Sequence, residues 1–383
     1  MYNRRTLLTG VAAAALGPAF LTRAFAATSG ISDREIVLGQ SAVLSGPLGA
    51  SVNSFNAGAK LAFDELNRHG GLAGRKIRVV SLDDELKPDK AVANHKALLN
   101  EHKVFAFFGG VGSGTIAAAT PILRESNAPL IGNYAVGDGV REKAKDAAYF
   151  VRASYGREAE KLIELLGVIG NTRIAVAHLA NPGGEEVLAR VRALLKAQTP
   201  SLEVASFAGV KNDGSNAAEA AKTIAAGQPQ AVIMFLSGSP IATLMKTMWE
   251  SGSNPAFYGM STVAGDQVAK GLGEQMRGGL SVAQVVPYAW ADADGPAREF
   301  RALCTAAKTE VSYYAFEGWI NAMVMIEGLR RAGRDLTRES LHGAMRAMKT
   351  RVAGMELDFT GPSPTGSRFV ELVHVRSAGR YLR

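Results

Sequence analysis

The 383-residue chain holds a single cysteine, Cys304, so it can form no intramolecular disulfide. Its neighbours Ala302 and Leu303 suggest an apolar helix face, the setting of an inert buried thiol rather than a nucleophile. Without a disulfide, stability must come from core burial, which a chain of this length can supply in two domains. Histidine is sparse as well. His69, His95, His102, His178, His342 and His374 are scattered, and none sits at metal-ligand spacing with Cys, Asp or Glu, which argues against zinc. No Gly-x-Ser-x-Gly elbow occurs; Val111-Gly112-Ser113-Gly114 comes nearest with the wrong glycine spacing. No P-loop lysine follows that Gly-rich loop. Aromatic residues make up 7% of the chain and interleave with no basic cluster, which disfavours nucleic acid as a partner.

Some enzyme-like features remain, and each has a plainer reading. Gly109-Gly110-x-Gly112-x-Gly114 follows a strand, as a dinucleotide loop would, but the third strand rather than the first. Asp83-Asp84 is read as a strand-end turn with solvated carboxylates rather than a metal or acid pair. With no catalytic constellation, an enzyme on a Rossmann-like fold ranks last among the function classes, and no cofactor or metal is expected.

What is present begins with an address. Residues 1–26 read as a signal peptide: Arg4-Arg5, an apolar run over 7–21, then Ala24-Phe25-Ala26 at a small-x-small cleavage site. The paired arginines suggest the twin-arginine route, with ordinary Sec export as the alternative. The run is short for a membrane span and broken by Gly17-Pro18. Cleavage removes three arginines and no acids, so Lys plus Arg falls from 43 to 40 against 35 acids, and the net charge falls from +8 to +5. The mature chain is expected to be exported, soluble and periplasmic.

The stretch 105–141 organises the rest. Apolar runs at 104–108 and 129–131 read as buried parallel strands, each ending in a small-residue loop, with helical composition over 115–126 between them. Both loops then lie at the carboxyl ends of adjacent strands, where open α/β sheets bind ligands. Gly112-Ser113-Gly114-Thr115 offers hydroxyls and bare N–H groups at a helix N-terminus, suited to a carboxylate. A plain helix cap explains the same residues.

Around this stretch, strands are expected at 36–43 and 77–81, with helices at 52–68 and 88–101. Strand–helix alternation restarts after 159, with strands at 173–177, 202–207, 231–236, 256–260 and 280–286 and helices at 159–166, 185–198, 216–226 and 241–250. Helices at 297–308, 313–332 and 338–348 follow, then strands at 354–359 and 368–375. The fold class is α/β with two Rossmann-like lobes.

A family resemblance covers most of the mature chain. It rests on Ser45-Gly46-Pro47-Leu48, Gly58-Ala59-x-Leu61-Ala62-x-Asp64-Glu65-x-Asn67, Gly70-Gly71-Leu72-x-Gly74-Arg75-Lys76 and Leu82-Asp83-Asp84 with Pro88 and Ala91-Val92. Phe108-Gly109-x-x-x-Ser113 with Pro121, Ala128-Pro129-Leu130-Ile131, Val151-Arg152, Gly278-Gly279-Leu280 and Gly366-x-x-Phe369-Val370 continue it. In order and spacing these resemble the type I periplasmic solute-binding proteins of ABC importers, of the leucine/isoleucine/valine-binding type. The resemblance implies two lobes on a three-segment hinge, 28–152 plus 288–365 and 153–287 plus 366–383, with a small organic ligand trapped between them. It implies membrane permease subunits as partner and a monomer in solution. A free ligand-sensing module of the same fold is the second class.

The implied ligand site comprises Leu48, Ser51, Ser113, Gly114, Thr115, Tyr134, Ala135, Val136, Tyr155, Gly183, Ser237, Ser261 and Thr262. The loops at Ser113 and at Ala135-Val136 would hold a carboxylate. Departures from the family pattern bear on the rest of the ligand. Members that bind aliphatic amino acids place a carboxylate after the strand at Phe257-Tyr258-Gly259 to meet the ammonium; Ser261 falls there, with Thr262 next. An aromatic is replaced by Ser51, a tyrosine by Gly183, an acid by Leu179 and a threonine by Val136, and two cysteines bonded in some members are Leu86 and Gly112. A buried ammonium without a carboxylate would cost several kcal/mol. The expected ligand is therefore a carboxylate with an apolar or aromatic body and no obligatory amine, walled by Tyr134 and Tyr155. An acid from elsewhere, Asp138 or Asp266, would restore amino-acid binding.

Overall fold

The computed structural model describes residues 29–198, 200–276, 279–376 and 379–383. The signal peptide expected over 1–26 lies outside the described residues, as do residue 28 of the first lobe and Gly278 of the Gly278-Gly279-Leu280 match.

Strand β1 (Glu35–Ala42) is buried from Ile36 onward, the pattern of a central strand covered on both faces. It is followed by α1 (Gly46–Arg68), β2 (Lys76–Asp83), α2 (Pro88–Asn100), β3 (Ala106–Phe108), α3 (Ser113–Ser126), β4 (Leu130–Ile131), α4 (Asp138–Lys143) and β5 (Ala148–Tyr149). The strands form one sheet in the order β2-β1-β3-β4-β5, and every pairing is parallel.

A second set of alternating units follows: α5 (Tyr155–Val168), β6 (Ile174–Leu179), α6 (Pro182–Lys196), β7 (Val204–Val210), α7 (Ala217–Ala226), β8 (Ala231–Phe235), α8 (Pro240–Glu250), β9 (Ala256–Gly259), α9 (Gly265–Leu272) and β10 (Leu280–Gln284). The chain then returns to the first lobe with α10 (Gly295–Ala307), α11 (Tyr313–Ala332), α12 (Arg338–Arg346) and the antiparallel hairpin of β11 (Lys349–Val352) and β12 (Met355–Asp358). It ends in the second lobe, where β13 (Glu371–Val375) and β14 (Tyr381–Leu382) add antiparallel strands beyond β10. That sheet runs β14-β13-β10-β9-β8-β6-β7.

The return of α11 onto α1 depends on two glycines. A Cβ on Gly58 would lie 1.7 Å from the Ala315 carbonyl oxygen, and one on Gly318 would lie 1.8 Å from that of Phe55. Only glycine lets the two backbones approach so closely. The chain crosses between the sheets three times, after β5, after β10 and after β12. Two crossings are joined: Phe150 donates to the Pro364 carbonyl at 2.8 Å, Gly366 to that of Phe150 at 2.8 Å and Ser367 to that of Val151 at 3.1 Å.

Several elements differ from the sequence reading. Helix α1 begins at Gly46 rather than 52, α5 at Tyr155 rather than 159, and α6 at Pro182 rather than 185. In α1 and α6 the stretch read as loop is the first helical turn, opened by proline; in α5 and α6 a side-chain cap closes it. Ser154 accepts from Arg157 at 3.2 Å and Asn181 from Gly184 at 3.0 Å. Elements α4, α9, β5, β11 and β14 were not expected. Asp84 is fully buried, not solvated. It accepts from the Ser41 hydroxyl at 2.9 Å and the Leu86 N–H at 2.9 Å, tying the β2 end to β1. Cys304 is buried, and burial pushes its thiol up to about 11.

Candidate functional site

Carboxyl ends of strands from both sheets meet across one cleft, the place where parallel α/β sheets present ligand loops. Leu48 comes from the first turn of α1 after β1, Gly112 to Thr115 from the loop end and first turn of α3 after β3, and Ala135 from the loop after β4. The opposite wall takes Asn181 to Gly183 from after β6, Asn212 from after β7, Phe235 and Ser237 from β8 and its loop, and Thr262 from after β9. Together with Leu86, Ala117, Val140, Tyr155 and Leu179 they enclose about 380 Å³.

Ser113, Gly114, Thr115, Leu48, Ala135, Tyr155, Gly183, Ser237 and Thr262, all singled out from the sequence, line this cavity. Ser51, Tyr134, Val136 and Ser261 do not. Tyr134 is wholly buried behind it, edge-on to Tyr314 with ring centroids 5.9 Å apart and beside Phe55. Ser51 is buried outside the lining, and Val136 packs into the first lobe's core. These positions lie off the lining because a loop residue's facing follows from backbone geometry that spacing does not encode. The sequence reading passed over Ala117, Val140, Asn181, Pro182, Asn212 and Phe235; the strand-end rule would have pointed to Asn181, Asn212 and Phe235.

Besides the Asn181, Asn212, Ser237 and Thr262 side chains, the polar groups of the cleft are hydroxyls and N–H groups at helix starts. Helix α3 opens at Ser113 after Gly112, whose φ of 88° suits glycine. The Thr115 hydroxyl is spent inside the helix, donating to the carbonyls of Val111 and of Gly112, the latter at 2.9 Å. The Ser113 hydroxyl accepts the Gly137 N–H at 2.8 Å, so its own proton is left to donate. First-turn N–H groups have no intrahelical acceptor. Facing them across the cleft is the first turn of α6: a Cβ on Gly183 would lie 3.6 Å from the Ser113 oxygen. Two helix N-termini thus converge on one apolar cavity, and each carries partial positive charge. Tyr155 packs edge-on against Phe235, ring centroids 4.7 Å apart, and burial pushes its phenol well above its usual value.

Among the described residues, no Asp, Glu, Lys, Arg or His lines the cavity. The two candidate substitute acids are engaged elsewhere. Asp138 accepts from Tyr155 at 3.1 Å and Gly156 at 3.0 Å, capping α5, and Asp266 accepts from the Tyr381 hydroxyl at 3.0 Å.

Behind the cavity lies a charge cluster that the sequence did not announce. Ser261 donates its N–H to Glu158 Oε2 at 2.7 Å and its hydroxyl to Oε1 at 2.8 Å, and accepts from Arg152. Arg152 stands 3.4 Å from Glu158 and 3.3 Å from Glu317, with its guanidinium 5.2 Å from the Tyr134 ring centroid. Burial opposes its charge, but the Glu317 and Glu158 carboxylates hold it above its ordinary value. Arg141, also buried, donates to the carbonyls of Val136 at 3.0 Å, Arg152 at 3.0 Å and Ala153 at 3.2 Å. Burial lowers its pKa to about 10, above any physiological pH, so the guanidinium keeps its charge at the crossing.

Two α/β lobes with facing helix N-termini around a cavity lined by no charged residue among those described define a two-lobed binding protein. Residues 35–380 match the family model described as periplasmic binding protein, and the chain belongs to that family. Among solved structures, a substrate-binding periplasmic protein from Ralstonia solanacearum superposes with a TM-score of 0.82 at 30% identity, over 91% of this chain and 99% of that one. A solute-binding protein from R. palustris, solved with 4-hydroxybenzoate, shares the fold at a TM-score of 0.78 and 15% identity, over 91% of this chain and 95% of that one. Among curated proteins, the Leu/Ile/Val-binding protein homolog 7 of Brucella abortus (strain 2308) is 28% identical over 134 residues, 34% of this chain and 33% of that protein. The chain thus aligns with about a third of that relative's length. An amino acid binding protein of Pseudomonas aeruginosa is 24% identical over 70% of this chain and 72% of its own.

Proposed function

We propose that this chain is the exported, periplasmic solute-binding component of an ABC importer. It captures a small organic carboxylate between its lobes by hinge closure and delivers it, as a monomer, to membrane permease subunits. The ligand has an apolar or aromatic body and needs no amine. The observation that carries this reading is the lining: two helix N-termini and the Ser113 hydroxyl face a largely apolar cavity to which no carboxylate contributes among the described residues. An anion gains from the N–H groups and the helix dipoles, whereas an ammonium would be desolvated without a counter-charge. Closure follows the ligand's preference for the arrangement in which both walls touch it.

The names of the curated relatives favour a second reading, an α-amino acid of the branched-chain or hydrophobic kind. One screen separates the two. Mature protein, refolded to remove carried-over ligand, is heated with leucine, valine and isoleucine and with aromatic and aliphatic acids that lack an amine. A ligand stabilises the folded state by RT ln(1 + [L]/Kd). Shifts with amine-free acids alone support the first reading; shifts with leucine or valine overturn it.

A further inference from the structure

Away from the crossing segments, the contacts between the lobes include the Tyr314 hydroxyl on the Thr262 carbonyl at 3.4 Å, the Lys270–Glu310 pair at 3.5 Å and, beside the ligand loops, one carboxylate. Glu186, on α6 of the second lobe, accepts the N–H of Gly139 on α4 of the first lobe at 2.8 Å. Its other oxygen lies beside the ligand loop: a Cβ on Gly137 would come within 2.6 Å of Glu186 Oε2 and 3.2 Å of the Ser113 oxygen. Helix α4 makes two other contacts with the second lobe, through Asp138 to the N–H groups of Tyr155 and Gly156 and through Arg141 to the carbonyls of Arg152 and Ala153. Those partners lie at or just past the crossing after β5, so a hinge rotation displaces them little. Glu186 sits on a helix one strand farther on, and its bond to Gly139 breaks as soon as α6 moves off.

We propose that Glu186 is the closure latch: its bond to Gly139 sets how much of the protein rests with the lobes together, and through that the apparent affinity for any ligand of the cleft. The physical basis is population shift. A binding-competent state that is partly populated weakens the observed affinity by that fraction, and one interlobe bond changes the fraction. The bond is made to an ionised acceptor but faces solvent, so its effect is moderate. The inference rests on interlobe geometry and not on the identity of the ligand.

The test needs no ligand. Single dyes are placed at Asp89→Cys and Asp213→Cys on opposite rims of the cleft; buried Cys304 does not compete for them. Single-molecule energy transfer then reads the ratio of lobes-together to lobes-apart molecules in otherwise wild-type protein, in Glu186→Ala and in Glu186→Gln. Alanine removes the acceptor, and the ratio is expected to fall about three- to ten-fold. Glutamine keeps an acceptor oxygen, and the ratio is expected to stay within about two-fold of wild type. An unchanged ratio in Glu186→Ala, no lobes-together population in wild type, or equal losses in both variants overturns the latch. The last outcome would assign the effect to charge alone.

Discussion

The Ser261 hydroxyl donates to Glu158 Oε1 at 2.8 Å, and its backbone N–H donates to Oε2 at 2.7 Å. The position where amino-acid-binding relatives of this fold are expected to present a carboxylate to the ligand is here occupied by a pairing within the protein. The carboxylate exists, but it faces Ser261 and Arg152 rather than the cavity. Glu158 and Glu317, one from each lobe, flank Arg152 at the crossing, so the charges tie the two lobes there.

Arg152→Met tests that role. Removing one member of a buried ion cluster strands the others, at about 3–5 kcal/mol. Unfolding in urea should show a loss of that size, and Arg152→Met/Glu158→Gln should recover part of it. A loss below ~1 kcal/mol would mean that water reaches the cluster and screens it.

Ser113→Ala tests the anion seat. The serine hydroxyl already accepts from Gly137, so its proton is the group available to a ligand. Calorimetry with an acid found by the thermal screen should show binding weakened by roughly 1–3 kcal/mol. Unchanged affinity would place the carboxylate on another part of the cleft.

The fold was legible where apolar runs are long. Strand β1 and the central strands of the second sheet are buried at nearly every position, and a continuous run bounded by turn residues has few other readings. Strands β5 and β14 have two residues each, too short for any periodicity, and were missed. At the site, strand-end loops could be located from sequence, so about half of the lining could be named. Which loop residue turns inward could not, and Tyr134 and Val136 lie off the lining for that reason. Ser261 and Glu158 are 103 positions apart and meet only because β9 and α5 pack together. No local pattern in either segment encodes that meeting.

Cys304 offers a check on the helical return to the first lobe. Its thiol is buried on α10 and pushed up to about 11. A thiol reagent at pH 8 should leave it unmodified in the native protein and react fully in denaturant. Rapid native reaction would show that α10 opens locally without global unfolding.

Gly183 separates shape from chemistry at the cleft. A Cβ there would meet Asn181 Oδ1 at 3.4 Å, Ser113 Oγ at 3.6 Å and the Phe235 ring at 4.0 Å, all ordinary contacts. Gly183→Ala should therefore fold normally and bind somewhat more weakly. Gly183→Leu extends the side chain between the two helix N-termini, into the volume a ligand must occupy, without touching the buried charge cluster. Its melting temperature alone should stay near wild type, since its added bulk enters a cavity rather than a packed core. Every thermal shift seen with wild type should disappear. If Gly183→Leu still responds to the same ligands, they bind outside this cavity, and the carboxylate reading built on its lining fails with it.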